Sequence, residues 1–549
     1  MKKIYLPLLA VIAGAASTLT GCIEETFPTS TVTQDQVTSS PNATASFALG
    51  MPAKMNEVFV LGDDGLHFDW GYGSMMHIRD VMTGDMPVIA SGYNWYTNWI
   101  VNKAQDEGKI YPQVIWNTYT QLVQAANLTI GSVNPESASD LQLYYLGAGY
   151  AFRALYYLDM ARMFEYLPTD GTEASNGYGN NPTGLTVPIV TESMTESEAR
   201  ENPRAKHEDM MKFIIDDLTA AETYIVKSTR PSKTMPDLAV VYGLKARAYM
   251  WDENYQMAAE YARKAINEHG GAPTTKEQWL DTKTGFNTAS TPSWMLCEQL
   301  VTEDDQVKTG IINWASWMSN EFKLGYSSAE PFVMIDRRLY ESISNDDFRK
   351  LTFVAPEGSA LAGKENFINR QALESVMVQG DAPVILTPYS SLKFKPGEGN
   401  MINSTVAATV AWPLMRVEEM YFIEAEAKAH TSVGDGKAAI ENFMKTYRYS
   451  TYACAASSTD AVVDEIFLQK RMEFFGEGII LFDYKRLNKP VTRYYDGTNW
   501  PEDAQFNTTT RPAWMNYVIV QTEGNNNALV RQWNNPDPSQ VYPSLGAQK

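Results

Sequence analysis

Long helical runs crowded with small residues constrain this chain more than any other feature. Asp140 to Leu167 reads DLQLYYLGAGYAFRALYYLDMARMFEYL and stops at Pro168. A periodic pattern of that length predicts a helix rather than a strand, and the proline marks its end. Gly147, Ala148, Gly149, Ala151 and Ala154 fill its middle. Side chains this small let a second helix approach closely. Lys206 to Val226 has the complementary form, with Met210, Ile214, Leu218, Ala221 and Ile225 on one stripe. That spacing predicts an amphipathic helix whose apolar face needs a partner. The expected fold is therefore helix packed on helix.

Leu238 to Glu268 sharpens the expectation. Ala246, Ala248 and Tyr249, then Asn254-Tyr255, Ala258, Tyr261 and Lys264-Ala265-Ile266 resemble a tetratricopeptide repeat. Such a unit packs two antiparallel helices, with small residues where they cross and an aromatic residue at the turn. One unit alone cannot bury its apolar face, so further units are expected. Arg416 to Tyr447 is one: Glu424-Ala425-Glu426-Ala427 in a first helix, Gly434-Asp435-Gly436 as the turn, then Ala438 to Phe443. Between Gly271 and Ala411, glycine, proline, serine and asparagine break the period. An irregular section beside a helical frame is where a ligand surface tends to sit. After Pro490 the chain is again irregular and aromatic.

The N-terminus predicts a location. Lys2-Lys3, the apolar run Ile4 to Ala16 and then Leu19-Thr20-Gly21-Cys22 have the order of an export signal. The run is too short to span a bilayer as a permanent helix. Leu-x-Gly-Cys resembles the lipobox, in which the cysteine thiol is acylated and becomes the first residue of the mature protein. Buried acyl chains, at roughly 0.8 kcal/mol per methylene, hold a protein firmly on a membrane. Thr26 to Ala45, rich in Thr and Ser, reads as a flexible stalk. The formal net charge is −20, and more negative once Lys2 and Lys3 leave with the signal. That balance argues against nucleic acid and anionic membrane faces as partners. Of the three cysteines, Cys22 is assigned to lipid; Cys297 and Cys454 can pair or stay reduced, and spacing does not decide.

Three segments resemble one family. Tyr150-Ala151-Phe152-Arg153-Ala154-Leu155-Tyr156-Tyr157, closing at Leu167-Pro168, is similar to the AxFLRAxYYF…P helix of SusD/RagB-type lipoproteins of Bacteroidetes. Arg416-Val417-Glu418-Glu419-Met420 with Glu424 to Ala427 is similar to their LRYAE…AEA segment. Gln469 to Gly478 followed by Phe482-Asp483-Tyr484-Lys485-Arg486 resembles RxxELxxEGxRxxDLxR, with Ile479-Ile480 where Arg or His is usual and Tyr484 in place of Leu. The resemblance implies an all-α fold of tetratricopeptide-like repeats with a large loop-rich ligand face. It also implies a cell-surface, lipid-anchored outer-membrane protein that captures a nutrient, usually a glycan, for a partner TonB-dependent transporter of the SusC type. Glu24-Glu25 fits loosely the acidic stretch that directs surface export in that family. The expected organisation is a signal peptide over 1–21, lipidated Cys22 and stalk over 22–45, an N-terminal repeat part over 46–270, an irregular ligand-face part over 271–411 and a C-terminal part over 412–549.

Glycans offer apolar C–H faces and a rim of hydroxyls, so a site for them needs aromatic platforms beside amide, carboxylate or guanidinium groups. Tyr93, Asn94, Trp95, Asn98 and Trp99 lie in one short stretch directly before the first repeat helices. If that stretch is helical, Trp95 and Trp99 share a face, as do Asn94 and Asn98. The alternative is a buried aromatic knot. In the resembled family a Trp- and Asn-bearing stretch near this place often meets the sugar. Trp314, Trp317 and Asn320 form a second candidate in the irregular section. Arg79 and Asp80 are donors and acceptors within reach of the first cluster, or else a surface ion pair. Arg153 and the set Arg471, Glu473, Glu477 and Asp483 read as ion pairs holding repeats together, because charges at packed helix crossings need partners.

A binder fits better than a catalyst. No HExxH, GxSxG or phosphate-binding loop occurs, and His67, His77, His207, His269 and His430 have no metal-ligand spacing. No catalytic residue, metal or cofactor is expected. Alternative readings are a surface-anchored glycoside hydrolase, which needs two carboxylates about 5–10 Å apart, or a peptide-binding lipoprotein of the same architecture. A periplasmic solute receptor would show alternating βα units instead.

Overall fold

The computed structural model describes residues 41–58, 67–88, 94–101, 105–171, 173–329, 333–375 and 386–540. Cys22 and Tyr93 lie outside them. The main elements are helices α1 (Pro41–Met55), α2 (Tyr72–Val81), α3 (Thr97–Ile100), α4 (Ile110–Gly131), α5 (Asp140–Phe164), α6 (His207–Ile225), α7 (Leu238–Trp251), α8 (Tyr255–His269), α9 (Trp314–Met318), α10 (Val417–Thr431), α11 (Val433–Tyr447), α12 (Thr459–Glu473), α13 (Ile480–Arg486) and α14 (Gln521–Asn526), with strands β1 (Trp294–Gln299) and β2 (Ala411–Arg416).

Helix pairs packed in succession form the frame. α4 packs on α5, α5 on α6, α6 on α7, α7 on α8, α8 on α10, and α10 on both α11 and α12. The resulting architecture is all-α and tetratricopeptide-like. Local sequence explains the starts: Ser139 and Gln142 close a capping box on α5, while Asp237 and Asn254 cap α7 and α8 through their side-chain oxygens. The small residues do what their spacing predicts. A β-carbon on Gly147 would stand 2.7 Å from the Ile225 nitrogen, so α6 closes on α5 only because glycine is there. Gly436 likewise abuts the backbone of Ala429 where α10 and α11 meet.

Three boundaries differ from the sequence reading. α5 ends at Phe164, before Leu167, and α1 begins at Pro41, so the last part of the expected stalk is helix. Gly434-Asp435-Gly436 is not a turn. The α10–α11 connection is at Ser432, whose backbone caps α10 and whose hydroxyl caps α11, so the glycines start the second helix. Strand β1 in the irregular section also pairs antiparallel with β2, which begins where that section ends. Cys297 lies opposite Pro413 and Glu298 opposite Trp412. Pro413 is tolerated because each strand of a two-stranded sheet is an edge. Cys297 and Cys454 are both buried and free. Among the described residues, no helix is long and apolar enough to cross a membrane.

The charged family-motif residues are structural, as expected. Glu473 lies fully buried among three guanidiniums, accepting from Arg416 at 3.1 Å, Arg448 at 2.6 Å and Arg349 at 3.0 Å. Burial alone would raise its carboxyl, but Arg448 and the other two hold it far below the usual range. Glu477 pairs with Lys393 and Arg416, Arg471 with Asp85, Asp483 with Lys470 and Arg486, and Arg153 with Asp217. Lys485 on α13 donates to the carbonyls of Arg162, Met163 and Glu165 at 2.7–2.9 Å. These are carbonyls that the end of α5 leaves without helical partners, so the C-terminal motif caps the central helix of the N-terminal half.

Candidate functional site

Two aromatic stretches more than two hundred residues apart in sequence meet in space. Asn94 forms the corner of the first, its Oδ1 accepting from the Tyr96 amide at 3.0 Å and its carbonyl from the Thr97 hydroxyl at 2.7 Å. This Asx turn leads into α3, so only Thr97–Ile100 is helical and Trp95 precedes it. Trp95 and Trp99 therefore do not share a face. Trp99 is 1% exposed and packs edge-on to Phe68 and Tyr111, with ring centroids at 5.2 and 4.9 Å. Tyr96 is buried beneath; its hydroxyl accepts from Trp70 Nε1 at 2.6 Å, and its ring meets Trp317 edge-on at 4.9 Å.

Several expected ligand contacts are core. Trp317 is fully buried, donates Nε1 to the His67 carbonyl at 3.0 Å and stacks on Tyr326 at 4.4 Å. Trp314 stacks parallel on Trp412 of β2 at 4.9 Å. Asn320 is buried and donates to the carbonyls of Val333 and Ser391, fastening two irregular segments together. Arg79 is not a surface charge. It is 1% exposed and donates to Asp159 and to the Tyr119 hydroxyl, each at 2.8 Å. Burial would raise the Asp159 carboxyl, but Arg79 and Arg162 beside it bring it down to about 2. Asp80 is also buried and accepts from the Gly478 amide. Asn94 is buried as well. Asn94 and Trp99 thus fit the aromatic-knot alternative, and Trp314, Trp317, Asn320 and Arg79 are buried with them.

A half-buried surface stands on that foundation. It consists of Trp95, Asn98, His67, Tyr111 and Tyr326. Trp95 lies tilted against His67 at 5.8 Å and Phe68 at 5.9 Å, and His67 against Tyr326 at 5.4 Å, with a hydrogen bond between the His67 ring and the Tyr326 hydroxyl. Burial lowers the His67 imidazole, so the ring is neutral at physiological pH. Asn98 donates to the Tyr111 hydroxyl at 2.7 Å and to the Trp95 carbonyl at 3.2 Å. Rigid rings beside an amide and phenol hydroxyls can take the apolar face of a ring and hydrogen-bond its rim. Of the sequence candidates, Trp95 and Asn98 belong to this surface. His67, Tyr111 and Tyr326 are not singled out by any sequence pattern, because His67 sits in a turn, Tyr111 and Tyr326 sit at helix starts, and packing alone brings them together. Among the described residues no group of His, Cys, Asp and Glu is placed to hold a metal ion.

Residues 38–250 match a family described as starch-binding and associating with the outer membrane, and residues 249–542 match the SusD family. No curated protein matches the chain. Among solved structures, a SusD-like carbohydrate binding protein from Bacteroides vulgatus ATCC 8482 is 19% identical, with a TM-score of 0.69, covering 90% of this chain and 98% of its own. A SusD superfamily protein from Bacteroides thetaiotaomicron VPI-5482 is 17% identical at TM-score 0.63, covering 92% and 100%. A SusD-like carbohydrate binding protein from Bacteroides fragilis NCTC 9343 is 15% identical at TM-score 0.64, covering 90% and 100%. At these identities the likeness is one of fold.

Proposed function

The chain belongs to the SusD family, and on that premise we propose that it binds a glycan or oligosaccharide nutrient at the surface formed by Trp95, Asn98, His67, Tyr111 and Tyr326. The observation that carries the proposal is the half-exposed state of these side chains over a rigid, fully packed aromatic base. A preformed platform loses little entropy when a ligand settles on it. Trp95 supplies an apolar face for a pyranose ring, while Asn98 and the phenols supply donors and acceptors for its hydroxyls. The carbohydrate-binding description of two of the structural relatives supports this class of ligand.

The protein captures without turnover. Glycoside hydrolysis needs a pair of carboxylates across the scissile bond, whereas the groups at this surface are rings, an imidazole and an amide. The lipobox-like Leu19 to Cys22 supports a lipid anchor, and the outer-membrane description of the N-terminal family supports its location. In this reading the bound glycan passes to a SusC-like TonB-dependent transporter in the same membrane. The test is retention on immobilised polysaccharides, with product analysis after prolonged incubation with any that bind. Binding of at least one glycan without release of shorter oligosaccharides is expected. Failure to bind any glycan, or product release that follows the purified protein, would overturn the proposal.

A further inference from the structure

A second cleft, of about 630 Å³, runs along α4, between α5, the 188–199 loop, Phe47 of α1 and Glu523 of α14. None of its lining residues belongs to the aromatic surface around Trp95. Its size is that of a small-molecule pocket. Trp116, Thr120, Gln124, Asn127 and Gly131 recur at three- and four-residue spacing, so one stripe of α4 forms a whole wall. Tyr157 and Met160 of α5 and Val190 of the loop make the apolar floor.

The charges in the cleft are one-sided. Glu192 and Glu523 are its charged lining residues, with no Lys or Arg beside them in the lining. Glu192 is held by Arg153 at 2.5 Å, but that guanidinium already makes two hydrogen bonds, each 2.8 Å, to Asp217. The three groups together thus keep a net negative charge. Glu523 is half-buried, and burial pushes its carboxyl up. It accepts a hydrogen bond from Trp116 Nε1 at 3.4 Å and has no basic partner among the described residues. A carboxylate partly removed from water without a counter-ion carries a desolvation cost that a cation would offset.

We propose that this cleft is a separate binding site for a small organic ammonium with an apolar body, the ammonium meeting Glu523 and the body lying along Trp116, Met160 and Val190. Charge complementarity selects the cation, and the apolar floor selects the body over a hydrated inorganic ion.

Three probes of one shape and different charge test it on the full mature protein: 2-phenylethylamine, 2-phenylethanol and phenylacetate, titrated by ligand-observed NMR. The amine is expected to bind saturably and about tenfold more tightly than the alcohol, the factor for one charge-assisted hydrogen bond, with phenylacetate weakest. Glu523→Gln, which keeps the shape and the Trp116 hydrogen bond, should bring the amine to the affinity of the alcohol. Gln124→Trp, at an exposed position on the cleft wall, should abolish binding of both. Equal affinity for amine and alcohol, no saturable binding, or amine binding that survives both variants would overturn the proposal. If Gln124→Trp does not fold, Glu523→Gln alone decides. Loss of glycan binding at Trp95 would leave these results untouched, so the two sites fail independently.

Discussion

At the scale of single residues, exposure separates the tryptophan proposed to meet ligand from the structural ones. Trp95 and Trp99 are four residues apart and chemically identical, yet one is half-buried and the other sits at 1% exposure between Phe68 and Tyr111. Trp99→Ala should destabilise the protein by about 3–5 kcal/mol through the cavity it leaves. A thermal or denaturant melt measures this directly, and an unchanged midpoint would mean that the ring is not core. The sequence reading could not make this distinction, because aromatic residues beside amides describe a binding platform and a satisfied core equally well. Arg79 illustrates the same difficulty. Asp159, its partner, is eighty residues away on α5, and nothing local announces the pair.

At the scale of elements, most helices were legible because their apolar and small residues repeat at helical spacing. α5, α6, α7 and α8 lie where that period places them, to within a few residues. Gly434-Asp435-Gly436 reads as a turn, whereas Gly436 is required by contact with Ala429 rather than by chain reversal. Gly436→Val should therefore cost about 1–3 kcal/mol by forcing the two helices apart, and equilibrium unfolding would detect it. β1 and β2 leave no legible pattern in the sequence, because each is only six residues long. Lys485 joins elements from the two ends of the chain. Lys485→Met keeps most of its stem but removes the donor from the Arg162 and Glu165 carbonyls at the end of α5, while the Met163 carbonyl keeps the Tyr517 amide at 3.1 Å. A loss of about 2 kcal/mol or more is expected, since each unsatisfied buried acceptor costs on the order of 1–3 kcal/mol. Hydrogen exchange should show the last turn of α5 opening first.

At the scale of the whole molecule, one imidazole ties three repeat helices together and makes stability depend on pH. His207 starts α6 and lies between Glu165, just past α5, at 3.0 Å and Asp252, just past α7, at 3.3 Å. Its hydrogen bond to the Glu165 carboxylate raises it to about 9. Folding thus favours the charged ring: the stabilisation is complete below the ordinary value of 6.5 and is lost as pH climbs through about 9. The ring keeps some contact with solvent, so about 2 kcal/mol is expected rather than the full shift. His207→Gln should flatten the fall in melting temperature across that window, and an unchanged slope would assign the pH dependence elsewhere.

The same packed frame holds the Trp95 surface in place, and the central claim is that this surface binds glycan while contributing little to the fold. Calorimetric titration of Trp95→Ala with a polysaccharide that the native protein binds, paired with a thermal melt of the same variant, tests it most directly. The predicted result is a loss of about 1–3 kcal/mol of affinity, roughly a five- to hundredfold rise in Kd, with a melting temperature close to native. Retained affinity with a lowered melting temperature would contradict the claim and make Trp95 part of the core.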